Sequence, residues 1–328
     1  MCMQPYLLLL VAVATAGAPP ALGQTPSTAG PAGIGTHGAA PIPELFSHAW
    51  THPAFPWFEP PASGPGPITN LSRWAGQGSS GGLSGSLALP PGKVGISDYD
   101  QLVGDYNSPI LQPWAAAVVK RFGEMSLAGI TYPNPSNQCW PSPMLFIYKL
   151  QTIRMMQQPD RITILYSGYN DEVRRVRLTQ PHPSPLKPSW YGDSVGHYEG
   201  NTLVIDTVGV KTDRKYAMID LFGTPYTEKL HIVERYRLRD FDDVKDALER
   251  NKSENWLFQG DVWTRHRAGK FLQLHVTVED EGVFTTPWTA TLTYAPADQP
   301  PESICAENPN EYYNNKEADI PKAEKPDF

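Results

Sequence analysis

The sequence predicts a mainly β protein, an antiparallel meander closed or nearly closed as a barrel, with one helix packed at its N-terminal side. After Gln151 the chain carries about nine short segments in which polar and apolar residues alternate. Turn-forming residues separate these segments, and no long helices intervene, as is typical of all-β barrels and sandwiches. One stretch before them has helical periodicity. The pattern leaves a two-sheet β-sandwich open as the alternative.

The helical stretch runs from Leu111 to Met125. Its apolar residues recur at spacings of three and four, and Gly129 stands just past its end. Asn107 or Ser108 is the expected N-cap. The pattern predicts an amphipathic helix that packs on the sheet as a plug or lid.

The strand predictions follow from period-two alternation bounded by turn residues. In order, the predicted strands are Thr152–Gln157, Arg161–Ser167, Glu172–Thr179, Val195–Glu199, Leu203–Val208, Leu230–Leu238, Trp256–His266, Phe271–Val278 and Pro287–Tyr294. Gly200 with Asn201 is predicted to turn the central hairpin. Residues 242–250 are expected to form a short helix inserted between two strands.

Composition divides the chain into four parts. Residues 1–23 contain an apolar run and lack Asp, Glu, Lys and Arg, which predicts a signal peptide. Residues 24–97 are rich in Pro, Gly, Ser and Ala and predict a linker or a loosely docked arm. Within them the aromatic segment from Phe46 to Phe58 is expected to pack as a strap, with a ligand-binding aromatic patch as the alternative. The barrel domain is predicted over residues 98–306, and residues 307–328 are expected to form a strap and tail.

Charge and hydropathy limit the classes of partner. The formal net charge is −7 at pH 7, and an acidic chain with scattered basic residues argues against nucleic-acid binding. No later segment approaches about 20 uninterrupted apolar residues, so no membrane span is predicted. The leader predicts a periplasmic or secreted protein.

Three cysteines become two after removal of the leader, because Cys2 leaves with it. Cys139 and Cys305 remain and flank nearly all of the patterned region. An even number of cysteines in an oxidising compartment predicts a disulfide between them, with two buried free thiols as the alternative.

Polar and titratable residues are densest from Pro181 to Thr207, a proline-rich loop followed by a hairpin. Such density beside a rigid strand pair is typical of a binding or catalytic site. The candidate catalytic residues are His197, His231, Asp193, Asp206 and Glu234. The candidate ligand-binding residues are Trp190, Tyr166, Tyr236, Arg175 and His182.

Two carboxylates lie on strand faces that are otherwise apolar, Glu234 with Ile232 and Asp206 with Val204. A carboxylate in such a position is costly unless it is paired or used, so we expect both to point into the barrel. They could form an acid–base pair, a metal site or an ion pair with Arg175. The alternative is that Arg, Tyr or backbone donors inside the barrel satisfy them.

We expect His197, His231 and Asp193 to meet in one pocket, with Trp190 in its wall. No HxH, HExxH or CxxC pair occurs, so neither a metal nor another cofactor is predicted. Ser194 lacks the GxSxG context of a serine hydrolase, which argues against a Ser–His nucleophile.

Seven motifs stand out along the chain: Gly104-Asp105-Tyr106, residues 109–114, residues 138–141, Pro181-His182-Pro183, residues 189–207, residues 230–235 and Pro287-Trp288-Thr289. On these motifs the chain resembles a large family of exported, functionally uncharacterised bacterial proteins. The match spans about residues 100 to 308. The resemblance implies no agreed reaction, and the architecture it implies is similar to calycin-type, lipocalin-like barrels.

The favoured function is therefore a barrel that binds a small, partly apolar molecule in its interior. A second hypothesis is an acid–base enzyme at the same pocket, a lyase, isomerase or hydrolase. In it His197 or His231 moves the proton, and Asp206 or Glu234 orients or balances it. A third is a structural or assembly module of the cell envelope. The sequence predicts no oligomeric state.

Overall fold

The computed structural model describes residues 42–53, 55, 57–71, 73–74, 96–97, 102–130, 132–168, 171–213, 217–254 and 269–302. Within these ranges nine strands close into one barrel, most of whose pairs are antiparallel. The predicted fold class is thus confirmed: the protein is mainly β, and its arrangement fits a calycin-like barrel. The alternative of a two-sheet sandwich is wrong.

The strands, in chain order, are β1 (Ala49–Thr51), β2 (Arg73–Trp74), β3 (Ile96–Ser97), β4 (Thr152–Gln157), β5 (Arg161–Ser167), β6 (Glu172–Arg177), β7 (Asp193–Glu199), β8 (Thr202–Val208), β9 (His231–Arg239), β10 (Phe271–Glu279) and β11 (Trp288–Ala297). Around the barrel the order is β1-β11-β10-β9-β8-β7-β6-β5-β4, and β4 pairs back with β1. β2 and β3 form a separate two-stranded sheet.

Alternation along the strands decides which side chains fill the barrel. Ile205 of β8 pairs with Glu234 of β9, which pairs with Val276 of β10, and all three are fully buried. Each apolar side chain buried in this way contributes roughly 1.5–3 kcal/mol to stability. The same register places Glu234 in the barrel interior among apolar neighbours.

The N-terminal arm contributes a barrel strand, which corrects the boundary predicted at residue 98. β1 pairs with both β11 and β4 and closes the barrel. Trp50 at its centre is 1 % exposed, and its Nε1 donates to the carbonyl of Leu45 at 3.0 Å. Further on, Glu59 and Thr291 exchange two backbone hydrogen bonds of 2.7 and 2.9 Å. The Pro- and Gly-rich composition of this segment predicted a linker or a loosely docked arm. A few aromatic side chains are nevertheless enough to hold the segment on the barrel.

One pair of neighbouring strands departs from the predicted antiparallel meander. β6 and β7 are parallel over a short register, Val176 opposite Ser194 and Arg177 opposite Val195. The proline-rich residues 178–192 connect the end of β6 to the start of β7. A parallel pair requires such a crossover, since a tight hairpin would make the strands antiparallel.

The predicted strand Trp256–His266 lies outside the described residues. β9 pairs directly with β10 along its whole length. The strand that completes the barrel is β1, which composition had assigned to the arm.

Among the described residues two α-helices accompany the barrel, and the predicted helix packed before it is confirmed. α1 (Pro113–Leu127) begins after Gln112 rather than Asn107 or Ser108, and its buried face includes Val119. α1 packs closely against Gly104. A Cβ atom at that position would lie only 2.7 Å from Val119 Cγ1, so a larger residue would not fit without a shift. α2 (Phe241–Glu254) falls where a helix was predicted.

α2 covers the barrel through its own small apolar cluster, in which Val244 and Leu248 pack on Phe271 and Ala295. Neither helix, nor any other described one, is long and apolar enough to cross a lipid bilayer. The predicted signal peptide, the C-terminal tail and Cys305 lie outside the described residues. The signal peptide and the pairing of Cys305 with Cys139 stay predictions.

Candidate functional site

A buried ion pair occupies the centre of the barrel. Arg174 of β6 and Glu234 of β9 are 1 % and 0 % exposed. Two nitrogens of the guanidinium donate to the two carboxylate oxygens, at 3.0 and 2.5 Å. The predicted inward orientation of Glu234 is confirmed, and of the roles left open for it the structure shows an ion pair with an arginine. The expected partner Arg175 is wrong, because it alternates to the outer face of β6 and is exposed.

Hydroxyl groups of neighbouring side chains fill the remaining hydrogen-bonding capacity of the ion pair. Arg174 donates to Ser194 Oγ at 3.0 Å, to Thr207 Oγ1 at 2.7 Å and to Tyr166 Oη at 3.2 Å. Tyr236 Oη donates to Glu234 Oε1 at 2.8 Å, and the Tyr148 hydroxyl donates to the same oxygen. A buried charge is tolerated when its hydrogen-bonding capacity is filled in this way.

Burial shapes the protonation of this cluster. It raises the pKa of Tyr166 to about 12 and the pKa values of Tyr148 and Tyr236 well above their usual range. Burial by itself would lower the pKa of Arg174, but the charge of Glu234, the hydrogen bonds to it and the neighbouring tyrosines together outweigh burial and hold the pKa well above its usual value. The tyrosines therefore stay neutral donors, and the alternative reading of Glu234 as a carboxylate satisfied by Arg and Tyr is the correct one.

Asp206 faces the outer wall of the barrel, which corrects its predicted inward orientation. Its neighbours Ile205 and Thr207 are fully buried in the interior, so Asp206 between them points outward. The outer face also carries Val204, which is 3 % exposed. Because both faces of β8 are largely covered, alternation alone did not distinguish inside from outside.

A row of imidazoles and carboxylates crosses this outer wall. His182 Nδ1 lies 2.6 Å from Asp193 Oδ1, and His182 Nε2 lies 2.8 Å from Asp206 Oδ1. His231 Nε2 lies 2.8 Å from Asp206 Oδ2, and its Nδ1 lies 3.5 Å from Glu279 Oε2. The row thus unites four of the sequence-predicted residues: His182, Asp193, Asp206 and His231.

Hydrogen bonds within the row shift the pKa values of His231 and Asp206. The hydrogen bond to Asp206 outweighs burial and raises the pKa of His231. Burial raises the pKa of Asp206, but hydrogen bonds with His231 and His182 outweigh it and lower that pKa. Both nitrogens of each imidazole face carboxylates, so this arrangement holds protons in place and fastens the proline-rich loop to the wall. Among the described residues, no three His, Cys, Asp or Glu side chains converge in a metal-binding arrangement.

We expect His182→Ala to free the proline-rich loop with little loss of global stability. The His182 side chain is 26 % exposed, and ion pairs that solvent reaches contribute about 1 kcal/mol or less. Amide hydrogen exchange should speed up at Ser189 and Lys211, whose amides hydrogen-bond the end of the loop to the segment after β8: Ser189 N donates to the carbonyl of Gly209 at 3.0 Å, and Lys211 N to the carbonyl of Ser189 at 2.9 Å. His197→Ala is the control and should leave that exchange unchanged; equal protection in both variants would contradict the fastening role.

His197 lies in a different cluster, which corrects the predicted single pocket. Its Nε2 is 3.0 Å from Glu199 Oε1, its side chain is 40 % exposed, and Arg235 donates to the same carboxylate at 2.6 Å. Trp190 stays in the proline-rich loop, where Lys211 Nζ lies 5.5 Å from its ring centroid. Neither residue lines the cavity described next.

An aromatic cavity of about 50 Å³ lies at the end of the barrel where β11 begins. We call it the aromatic cavity; its rings are Phe55, Trp57, Phe58, Phe222 and Trp288. The rings stack edge to face, with centroids 5.9 Å apart for both Phe55–Phe222 and Phe58–Trp288. Edge-to-face pairs of this kind contribute about 0.5–1.5 kcal/mol beyond the burial of their area.

Two ring nitrogens of the aromatic cavity have no hydrogen-bond partner. Trp57 and Trp288 are 4 % and 2 % exposed, and the Nε1 atom of each is buried without an acceptor. Leaving a buried donor unpaired costs about 1–3 kcal/mol. A group that enters the cavity with an acceptor would recover this free energy.

Asp220 adds a carboxyl group to the aromatic cavity. Its Oδ1 accepts from the amides of Phe222 at 2.9 Å and Thr224 at 3.1 Å, and it is 9 % exposed. Burial raises its pKa to about 6. The carboxyl group therefore changes charge close to neutral pH.

Sequence reasoning found part of this cavity. The aromatic run that ends at Phe58 was noted as a strap or an aromatic patch, and it supplies three of the rings. Phe222 and Asp220 come from the loop between β8 and β9, and Trp288 from the start of β11. Only the barrel topology brings these distant segments together; Trp288 lies in the motif Pro287-Trp288-Thr289, but nothing in the local sequence linked that motif to Phe222 or Asp220.

No family model, no curated protein and no solved structure matches this chain. The resemblance to an exported bacterial family stays a prediction.

Proposed function

We propose that this protein binds a small, partly apolar molecule in the aromatic cavity at the end of its barrel. The observation that carries the proposal is a cavity lined by aromatic rings, two of which are tryptophans whose buried indole N–H groups lack acceptors. Ligand sites typically combine apolar walls with a few unsatisfied polar groups of this kind. The uncharged apolar leader supports placing the protein in the periplasm or outside the cell.

The centre of the barrel is a poorer candidate than its end. Tyr166 and Tyr236, expected as ligand walls, are fully buried and hydrogen-bond the Arg174–Glu234 pair. A ligand there would have to disrupt the pair, and breaking a buried ion pair costs about 3–5 kcal/mol. Binding in the aromatic cavity leaves this network intact.

The outer row of imidazoles and carboxylates supports attachment of the loop better than acid–base catalysis. A general base needs a nitrogen lone pair within reach of a substrate proton. Both nitrogens of His182 and of His231 already face carboxylate oxygens. Binding rather than turnover is therefore the function that we favour.

Phe222→Leu should weaken binding of a one-ring probe such as benzyl alcohol by about five- to tenfold, the equivalent of about 1–1.4 kcal/mol. The substitution removes one wall of the aromatic cavity and its contact with Phe55. Titration followed by NMR chemical shifts measures the affinity. Phe241→Leu removes a ring that packs in the separate cluster under α2 and should leave the affinity unchanged.

Equal affinity of the Phe222 variant and the wild type would place the binding site elsewhere. Native mass spectrometry of protein purified from its own compartment offers an independent check. A retained small molecule that is lost in the Phe222 variant, but kept in the Phe241 variant, would identify the natural ligand by its mass.

A further inference from the structure

We infer that the ligand of the aromatic cavity is an uncharged molecule whose oxygen acceptor, a carbonyl or hydroxyl group, is held by the indole N–H groups of Trp57 and Trp288. The inference rests on the proposed function and names the chemistry that the cavity selects. An apolar molecule without an acceptor would fill the space and leave both donors unpaired.

The first support is the contrast with other tryptophans of this chain. Trp50 is as buried as Trp288, and its Nε1 donates to a backbone carbonyl at 3.0 Å. Trp114 is 47 % exposed, yet its Nε1 also donates to a carbonyl, that of Gly282, at 2.7 Å. Buried polar groups in proteins are nearly always hydrogen-bonded. Two unpaired indoles lining one cavity therefore point to an acceptor supplied from outside.

The second support is the arrangement of the two donors around one ring. Phe58 contacts both Trp57 and Trp288, with ring centroids 6.2 and 5.9 Å apart. Both indole rings therefore pack on the same ring of the cavity lining. A carbonyl oxygen has two lone pairs and can accept two hydrogen bonds, which suits a site with two donors.

The third support is the charge balance of the cavity. Asp220 and Arg250 both line it, and Asp220 already accepts two backbone hydrogen bonds. A ligand carboxylate would be repelled by Asp220, and a ligand ammonium by Arg250. A neutral acceptor avoids burying a further charge.

The size of the cavity limits how much of the ligand enters. About 50 Å³ accommodates a group of only a few heavy atoms. Thr69 is exposed, and Pro60 and Pro67 are partly exposed, so these residues mark the mouth. The oxygen-bearing end enters between the rings, and an apolar remainder lies against the two prolines.

The test compares acetophenone with ethylbenzene, which has the same ring and nearly the same shape but no acceptor. Both are titrated into the ¹⁵N-labelled full chain, whose nine tryptophans give indole N–H signals. Trp57→Phe and Trp288→Phe assign the two signals of interest. Trp114→Phe, which lies outside the cavity, is the matched control.

We expect acetophenone to bind about tenfold more tightly than ethylbenzene and to move both assigned indole signals downfield. In the double variant Trp57→Phe, Trp288→Phe, the preference should fall below about threefold. The Trp114 variant should keep the full preference. If the double variant does not fold, the affinities of the wild type for acetophenone and ethylbenzene, together with its two indole signals, test the inference on their own.

Different results would overturn the acceptor inference and the proposed binding of a small molecule. Equal affinity for the two probes, with shifts confined to the cavity, would overturn the acceptor inference and leave small-molecule binding intact. Binding of neither probe at millimolar concentration, with the wild type folded, would overturn both. Binding of acetophenone without any change in the two indole signals would assign the acceptor to another donor and overturn the inference.

Discussion

Arg174→Met is expected to lower the free energy of unfolding by about 3–5 kcal/mol, the usual cost of removing one partner of a buried ion pair. The carboxylate of Glu234 would remain inside the barrel at 0 % exposure without its counter-charge. The tyrosine hydroxyls that also bond Glu234 would offset only part of the loss. Urea denaturation followed by circular dichroism measures the change.

The neighbouring residue gives a matched control. Arg175→Met changes the same side chain one position along β6, where it is exposed, and should alter stability by at most about 0.5 kcal/mol. Equal effects of the two substitutions would mean that the pair at the barrel centre contributes nothing specific.

A double substitution separates the pair from its individual charges. Arg174→Met with Glu234→Leu removes both charges, and well-packed apolar replacements of buried pairs are often tolerated. We expect the double variant to be more stable than Arg174→Met alone. A strictly additive loss would show that the two charges do not interact in the folded state.

The contrast between Arg174 and Arg175 shows how far the sequence predicts the interior. Alternation placed Glu234 inside correctly, because Ile232 and Tyr236 on the same face are apolar or amphipathic. The partner was assigned one residue away from its true position, and a shift of one residue exchanges the inner and outer faces of a strand. The predicted orientation of Asp206 was wrong for a related reason, since β8 is covered on both faces. Local patterns therefore predict the positions of strands better than they predict which face of a strand points into the barrel.

Long-range assembly explains the remaining differences. β1 has only three residues and lies in a Pro- and Gly-rich segment, so its strand character comes from pairing with β4 and β11. Likewise Asp220 and Trp288 are distant in sequence and meet only at the barrel end. Such features depend on the closed topology, which no window of local sequence contains.

Glu59→Gln is expected to stabilise the protein by up to about 3 kcal/mol above pH 7 and to have no such effect below pH 4.5. Glu59 is 8 % exposed, and burial raises its pKa from 4.5 to about 7. The folded state therefore binds the proton more tightly than the unfolded chain does. Stability due to this group is highest below pH 4.5, falls as the pH rises to about 7, and stays low above it.

Glutamine keeps the carbonyl oxygen that can accept from Asn251 Nδ2, at 3.4 Å in the wild type, and carries no charge at any pH. The difference between variant and wild type isolates Glu59 from the opposing contribution of His52, whose pKa burial lowers to about 4. Urea denaturation at about pH 4.5 and pH 8 measures that difference, with the exposed Glu228→Gln as control. A gain in stability that is equal at both pH values would show that Glu59 does not carry the proton. In that case the carboxylate would remain ionised against α2, with Arg250 as its counter-charge.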